Sequence, residues 1–212
     1  GPTANMYGMD CPTPCPDGAG MSCARLDRSH KRLIALLRKA RRIPGVKKVF
    51  VRSGIRYDLA LESRPYIEEL AKHHVSGLLK IAPEHVSENV LRIMGKSGGR
   101  RTLEEFRRVF DEINRKAGRG KRAAPQHLKY YFMVAHPGTS EKEAKELAAY
   151  IKTLEKGGEK PVEGIQIFTP TPMTRSTCMY HTGMDPITGE RVYVPRAYAE
   201  KKAQRRMLAM TP

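Results

Sequence analysis

Tryptophan is absent from this chain of 212 residues, and cysteine, with four residues, is scarce. Three of the four cysteines fall within the first 23 residues, too few and too unevenly placed for a disulfide framework. Long apolar runs are also lacking, since none approaches the roughly 18 residues of a membrane helix. The first residues show no basic region followed by an apolar stretch, as a secretory signal would. These absences exclude a membrane-spanning protein and predict a reducing, cytoplasmic setting without a membrane partner.

Acidic side chains are outnumbered: 39 Lys and Arg face 22 Asp and Glu, which gives a net charge of +17 and a pI near 9.9. Such a field attracts polyanions, among them RNA, DNA and phosphorylated cofactors, but it defines neither a fold nor a reaction. The densest cationic runs lie at residues 31–32, 38–42 and 100–101. The simplest interpretation of these runs is that they are solvated faces of helices. The more specific alternative is that they form a surface that binds RNA.

Helices and strands alternate in the predicted secondary structure. With 40% hydrophobic and 29% charged residues, the chain can build a core for one domain or for part of a larger one. Helices are predicted at residues 29–42, 64–73, 102–116 and 140–156, each followed by a short apolar strand, at 46–51, 77–81, 128–134 and 164–168. Repeated helix–strand pairs are typical of an α/β fold with a parallel sheet. The sequence therefore predicts about four βα units in such a sheet.

Polar residues and turn-forming Gly or Pro follow each predicted strand directly. These segments are residues 52–58, 82–85, 135–138 and 169–174. Parallel sheets place binding and catalytic groups at the carboxyl ends of their strands, because the strand-to-helix loops converge there. His85 and His136 directly follow strand ends and are therefore candidates to line a site. We expect the site at this rim of the sheet.

The two ends of the chain differ from this pattern. Residues 1–29 hold too much Pro and Gly for a helix or a central strand, and they predict an irregular Cys- and Pro-rich loop. Cys11, Cys15 and Cys23, with His30 nearby, could ligate zinc or an auxiliary cluster, but their x3, x7 and x6 spacing matches no standard zinc finger. Structural or redox-inert thiols are the favoured alternative. The tail from residue 182 is polar and basic, with a helix predicted at 196–210.

Five segments carry a specific resemblance. They are, in chain order, GPTANMYGM (1–9), IPGVKKVFVRSGIRYDLAL (43–61), HHVSGLLKIAPEH (73–85), YYFMVAHPGTSEKE (130–143) and IQIFTPTPMTRSTCMYHTG (165–183). Together they resemble the YgiQ-like family of radical S-adenosylmethionine (SAM) proteins, in the same order and at fitting spacing. The basic tail is similar to the start of that family's C-terminal extension. The resemblance thus covers nearly the whole chain.

The resemblance implies a partial parallel (β/α)6 barrel of the radical SAM type. In such proteins a Cys-x3-Cys-x2-Cys loop after the first strand holds a [4Fe–4S] cluster through three thiolates, and the fourth iron chelates SAM. Electron transfer to SAM gives methionine and a 5′-deoxyadenosyl radical, which abstracts hydrogen from a substrate. The resemblance implies no particular substrate.

This chain departs from the family at the cluster motif. It contains no Cys-x3-Cys-x2-Cys, because Cys11 and Cys15 have the first spacing but Gly18 stands where the third ligand would be. The resemblance therefore implies that residues 1–181 are the later portion of the barrel, with the start of the extension at 182–212. A cluster-bearing segment is expected upstream as an essential partner. On its own, the chain is predicted to be inactive.

The resemblance also implies which residues meet the cofactor. Gly1, Pro2 and Thr3 would lie just past the second barrel strand, near the SAM amino group, with Thr3 where an acid is typical. The remaining implied residues are His136, Pro137 and Gly138 along the adenine, and Ser53, Arg56, Asp58, Lys80 and Glu84 for contacts to ribose, carboxylate or substrate. In particular, Gly138 would allow the main chain to come close to the adenine ring, because glycine has no side chain.

A second interpretation involves no catalysis. In that case the chain is a basic module that binds nucleic acid and keeps the barrel strands as a scaffold. A third interpretation is a remnant or assembly fragment whose sheet edge is exposed, which would make it poorly soluble. SAM binding favours the first interpretation, and salt-dependent binding of tRNA favours the second.

Overall fold

The computed structural model describes residues 27–96, 98–118, 124–155 and 162–209. Predictions for Gly1, Pro2, Thr3, Cys11, Cys15 and Cys23 lie outside the described residues. Among the helices that are described, none has the length and apolar character to cross a bilayer. The elements in chain order are α1 (Lys31–Arg41), α2 (Tyr57–Leu61), α3 (Arg64–Glu69), β1 (Leu78–Glu84), α4 (Glu88–Ile93), α5 (Arg100–Lys116), β2 (His127–Val134), α6 (Glu141–Glu155), β3 (Val162–Ile167), α7 (Arg175–Thr182) and α8 (Tyr198–Ala209).

The three strands form a parallel sheet in the order β1-β2-β3. Every second residue of the central strand β2 is buried, from Leu128 and Tyr130 to Phe132 and Val134. The long helix α5 precedes β2, and α6 precedes β3. Both helices lie where the sequence predicts them. The α/β class and three of the predicted parallel strands are thereby confirmed.

The strand predicted at residues 46–51 is wrong. This segment is irregular. It is tied to His74 by two hydrogen bonds, from the Val51 amide to the His74 carbonyl at 2.9 Å and from His74 Nδ1 to the Val49 carbonyl at 2.7 Å. A short parallel bridge follows, between Ile55 and Ile81 of β1. The apolar run that predicted a buried strand is only partly buried, because Val51 is 9% exposed but Val46 and Phe50 are 37% and 45% exposed. A strand needs both a ladder partner and a covered face, and local sequence reports neither.

The chain forms two compact units. In the first, the described residues are 27–82, 101–118 and 124–130. Its core contains Tyr66, Leu79, Phe106 and Phe110, all at most 1% exposed. The two phenylalanines lie on one apolar stripe of α5, since the helical spacing i, i+4 places both against the core.

A buried carboxylate organises the helices of this unit. Glu69, at the end of α3, has a side chain that is 4% exposed and receives Arg38 Nε at 2.7 Å and Arg41 Nη2 at 3.1 Å. The chain then continues as a π-helical turn, Leu70–His74, whose last histidine donates through Nδ1 to the Val49 carbonyl at 2.7 Å. Burial opposes ionisation of Glu69, but the Arg38 hydrogen bond and the neighbouring positive charges outweigh it, so its pKa lies below the ordinary value.

In the second unit, the described residues are 83–96, 98–100, 131–155 and 162–209. A capping box opens α6: the Ser140 amide donates to the Glu143 carboxylate at 2.9 Å, and the Ser140 hydroxyl also donates to it. Gln204 of α8 accepts from the Ala135 amide and donates to the Thr139 carbonyl, both at 2.9 Å. The helix predicted near the end of the chain is therefore present and packs within this unit. The domain boundary at residue 182 stays a prediction.

Replacing Glu69 by Gln should destabilise the protein strongly. Removing the carboxylate charge weakens the hydrogen bonds from Arg38 and Arg41, whose side chains are partly exposed, which costs about 2 kcal/mol in free energy of unfolding. Urea denaturation measures the loss. The control is Glu68→Gln, which removes an exposed pair with Arg64 and should cost less than about 0.5 kcal/mol. Equal losses in the two variants would contradict the organising role of Glu69.

Candidate functional site

The strand ends of the second unit turn through strained backbone. Glu84, the last residue of β1, has φ 65°, and Ala135, the first residue after β2, has φ 60°. Met173, in the loop after β3, has φ 61° and a fully exposed side chain. A non-glycine residue in this left-handed region costs about 1 to 3 kcal/mol, and such residues cluster at functional sites. Their recurrence after all three strands supports a site at this rim.

A groove of about 340 Å³ lies in the second unit, beside the turn that joins β2 to α6. Three parts of the unit form it: α4, the turn with the start of α6, and the hairpin at residues 184–191, which the bridge between Met184 and Arg191 closes. Its lining is mostly polar and carries both charges. The polar and charged residues are Asn89, Arg92, Ser140, Glu143, Asp185, Glu190, Arg191 and Tyr193. Such a lining suits a small polar ligand that has both cationic and anionic groups.

His85, directly after β1, is fully buried and keeps one ring nitrogen without a partner. Its Nδ1 accepts from the Ser87 amide at 3.0 Å, so the hydrogen-bond pattern assigns the proton to Nε2. Nε2 is buried and has no hydrogen-bond partner among the described residues. Burial lowers the pKa of His85 to about 4, against the opposing charge of Glu143. His85 is therefore a neutral ring that presents an unused donor inside the unit.

His136, directly after β2, has the opposite tautomer. Its Nδ1 lies 2.7 Å from the Pro137 carbonyl, which can only accept, so Nδ1 carries the proton. Nε2 then accepts from the Ser176 hydroxyl at 2.8 Å. Burial lowers the pKa of His136 to about 4, despite the carbonyl that favours the charged form. This histidine ties the end of β2 to the first turn of α7.

Gly138 brings main chain close to a neighbouring side chain, as the predicted turn requires. It has φ 89°, and a Cβ built on it would lie 2.5 Å from Ile93 Cδ1 of α4. Its amide donates to the Tyr193 carbonyl at 2.7 Å. Gly138 lines the groove, and Pro137 before it is buried. The close approach is thus made to α4, and contact with adenine stays a prediction.

Glu84 forms an ion pair in which Lys96 donates to it at 2.9 Å, with both side chains about one-fifth exposed. The positive charge of Lys96 also acts on His136, whose pKa it helps to lower after burial and against the Pro137 carbonyl. The second unit therefore brings together the predicted residues Glu84, His85, His136 and Gly138, and adds Lys96 to them.

The other predicted residues lie in the first unit. Arg56 and Asp58 bind each other through two hydrogen bonds of 2.9 and 2.6 Å, and Asp58 is buried. Lys80 is half-buried on β1, where its carbonyl accepts from the Ile55 amide at 3.0 Å. Ser53 is exposed in a bend. The structure thus pairs Arg56 with Asp58, and their roles toward a ligand stay predictions.

Sequence reasoning missed several residues of the groove and the partner of His136. Asn89 and Arg92 lie on α4, whose six residues are too few for a helical period to show, although Ser87 before it is a typical capping residue. Ser176 is forty positions from its partner His136, so no local pattern joins them. The hairpin at 184–191 had a usable signal, because Asp185-Pro186 followed by Gly189 is typical of a tight turn.

Comparison with known proteins shows similarity across nearly the whole chain. A family model described as "Domain of unknown function (DUF3362)" matches residues 163–211. A "UPF0313 protein" of Methanosarcina acetivorans is 46% identical over 98% of this chain and 28% of its own length. UPF0313 proteins of Methanosarcina mazei and Clostridium perfringens are 46% and 43% identical, again over 98% of this chain, and it covers 33% and 31% of them. The chain thus has UPF0313 homologues and spans about a third of the length of these relatives.

Acid should destabilise the protein through His85 and His136. Both have a folded pKa near 4 and an ordinary unfolded pKa near 6.5, so the unfolded state binds protons first as the pH falls. The stability that the two neutral histidines confer is complete above about pH 6.5 and is lost as the pH falls from there to about 4. At about pH 5 the loss is about 2 kcal/mol per histidine.

Urea denaturation at about pH 7.5 and about pH 5 measures this loss. His85 and His136 together lower the free energy of unfolding between the two pH values. In the variant His136→Gln this drop should be about half as large. His181→Gln, at an exposed histidine of α7, is the control and should keep the difference. A wild-type pH dependence that survives in His136→Gln would contradict the assignment.

Gly138→Ala should destabilise the protein by about 2 kcal/mol, because strain at a positive φ adds to a close contact with the terminal methyl group of Ile93. Gly189→Ala is a matched control, since Gly189 has φ 72° but no atom within 4 Å of its added Cβ. It should cost about 1 kcal/mol, from the backbone alone. Thermal denaturation of both variants measures the difference, and equal costs would show that the Ile93 contact relaxes freely.

Proposed function

We propose that this chain is part of a radical SAM enzyme. It binds S-adenosylmethionine and shapes the substrate site, and a radical forms only together with a segment that bears the [4Fe–4S] cluster. The three parallel strands are, on this proposal, a portion of a (β/α)6 barrel of about four βα units. The resemblance to YgiQ-like proteins and the homology to much longer UPF0313 relatives support the proposal. The substrate is left open.

The observation that carries the proposal is the collection of chemistry-bearing residues where β1 and β2 end. Glu84, His85, His136 and Gly138 all follow or close these strands within one compact unit. Their backbone includes two left-handed residues, and their unit holds a groove of about 340 Å³. Parallel sheets use this end for ligands.

The residues of the second unit fit SAM in chemical terms. SAM presents a carboxylate, an amino group, ribose hydroxyls and an adenine ring. Arg92 and Lys96 are cations suited to the carboxylate, and Glu84 and Glu143 are acceptors suited to the amino group or the hydroxyls. The unused Nε2–H of His85 is a buried donor that a ring nitrogen or a ribose oxygen would satisfy.

A [4Fe–4S] cluster, when bound, would supply the electron that cleaves SAM to methionine and a 5′-deoxyadenosyl radical. Cys178 is the one cysteine among the described residues, and it is exposed. A single thiol cannot hold such a cluster, which needs three or four ligands. Because Cys11, Cys15 and Cys23 do not form a Cys-x3-Cys-x2-Cys motif, we assign the cluster ligands to a segment upstream of this chain and these three cysteines at most to an auxiliary site.

A second candidate function is the binding of nucleic acid without catalysis. The observation that favours it is the net charge of +17 on 212 residues. Because lysine and arginine release counterions when they meet phosphates, such binding would weaken steeply with salt.

SAM binding to the 212-residue chain is the direct test. Isothermal titration should give a Kd below roughly 1 mM, since part of the cofactor site is present. Glu84→Gln should weaken binding about tenfold, because a charged hydrogen bond is lost. Glu68→Gln removes an equal charge from an exposed pair in the first unit and should leave the Kd unchanged.

Reduced anaerobically with iron and sulfide, the chain alone should release no 5′-deoxyadenosine, because it contains no Cys-x3-Cys-x2-Cys. A folded wild-type chain that does not bind SAM would refute the proposal. Equal Kd values for the two variants would remove Glu84 from the site, and 5′-deoxyadenosine from this chain alone would overturn the upstream assignment of the cluster.

A further inference from the structure

Positive charge is concentrated in one segment of the first unit. Residues 28–57 contain eleven Lys and Arg and no Asp or Glu, against a net charge of +17 for the whole chain. An ordinary solvated helix face balances its cations with acids at i±3 or i±4, and α1 has no acid with which to do so. The segment is therefore cationic beyond what solubility requires.

Four of the eleven cations are neutralised within the unit. Arg28 pairs with Glu62, Arg38 and Arg41 share Glu69, and Arg56 binds Asp58. Others are exposed and have no ion pair among the residues that the structure describes, namely Lys39, Arg42, Lys47 and Lys48. Because no carboxylate compensates them, these four remain available to an external anion.

A groove of about 680 Å³ runs beside α1 and gathers part of this charge. Lys31, Arg38, Lys39 and Arg42 line it, with Pro65 of α3 among its apolar residues. The spacing of the four cations is i, i+7, i+8 and i+11, which places them along one face over about 16 Å of helix. An elongated polyanion fits such a row better than a single phosphate does.

Contacts within the unit hold α1 and the groove beside it in place. Arg38 lines the groove and is held by its Nε at 2.7 Å from the Glu69 carboxylate. Away from the groove, α1 is fixed by Leu33 and Leu37, which are 4% and 8% exposed. A cation held in place before binding loses less conformational freedom on meeting an anion.

Apolar side chains are exposed among these cations. Leu36, Ile43 and Phe50 are 48%, 54% and 45% exposed, and Lys47 and Lys48 precede Phe50 closely in the chain. Phosphates make no use of apolar groups, whereas unpaired bases stack on aromatic rings and pack on apolar ones. A duplex hides its base faces, so the partner is a single strand. RNA is the nucleic acid that ordinarily offers single-stranded loops for recognition.

We propose that α1 and residues 42–50 bind single-stranded RNA, with Lys31, Lys39 and Arg42 contacting phosphates and Phe50 stacking on a base. This inference rests on the second candidate function and is independent of SAM. It names the surface and the kind of nucleic acid.

Fluorescence anisotropy with an unstructured RNA of about 20 nucleotides tests the proposal on the full chain. The double variant Lys39→Glu/Arg42→Glu should weaken binding at least tenfold. It should also lower the slope of log K against log salt by about 1.4, which is two lost contacts for a single strand. The control Arg205→Glu/Arg206→Glu changes the net charge equally at two exposed residues of α8 that have no ion pair within the described part of the chain. It should weaken binding by less than about threefold.

The base-stacking role of Phe50 needs a probe without bases. Phe50→Ala should weaken RNA binding about fivefold or more and leave the affinity for long-chain inorganic polyphosphate unchanged. Ile187→Ala removes a comparably exposed apolar side chain from the second unit and should change neither affinity. If Phe50→Ala lowered the affinity for RNA and the affinity for polyphosphate equally, the stacking role would be overturned.

The outcomes separate the surface from the function. Equal weakening by the two double variants would overturn the α1 surface while leaving nucleic-acid binding in place. Absence of RNA binding at about 50 mM salt would overturn both. Tighter binding of single-stranded DNA or of duplex RNA would overturn the choice of RNA. SAM affinity should be the same in the wild type and in Lys39→Glu/Arg42→Glu.

Discussion

Parallel hydrogen bonding of β1, β2 and β3 is the constraint on which the rest of the structure depends. Parallel strands end at the same edge, so residues far apart in sequence reach one rim there. Glu84 and Ala135 then turn the chain through left-handed backbone, and the two histidines that follow them are buried and neutral. The tautomers of His85 and His136 differ because a donating amide meets one ring and an accepting carbonyl meets the other.

Much of the fold could be predicted from the sequence where a pattern is local. The apolar stripe of α5 and the capping box of α6 depend on residues three or four apart, and both are present. The strand at 46–51 was predicted wrongly because an apolar run does not report whether a neighbouring face covers it. For the site, the sequence could point to the strand ends but not to Ser176 beside His136, since that contact depends on tertiary packing.

The two proposed activities use different residues in different compact units. The SAM proposal concerns Glu84 and the groove in the second unit, whereas the RNA proposal concerns α1 in the first. Glu69 belongs to the second of these arguments as well as to the fold, because the carboxylate that stabilises α3 also holds an arginine of the cationic row. Glu69 thus contributes both to the stability of the fold and to the position of a cationic side chain on α1.

Gln204 has a consequence for how this protein can be divided. Its amide group bridges Ala135 and Thr139, so a residue near the end of the chain completes the hydrogen bonding of the turn after β2. The family match that begins at residue 163 therefore covers a segment that is not an appendage to be trimmed. A fragment that ends before residue 204 would expose a buried amide and a buried carbonyl at the rim. A fragment that contains the turn after β2 must therefore also contain Gln204 of α8.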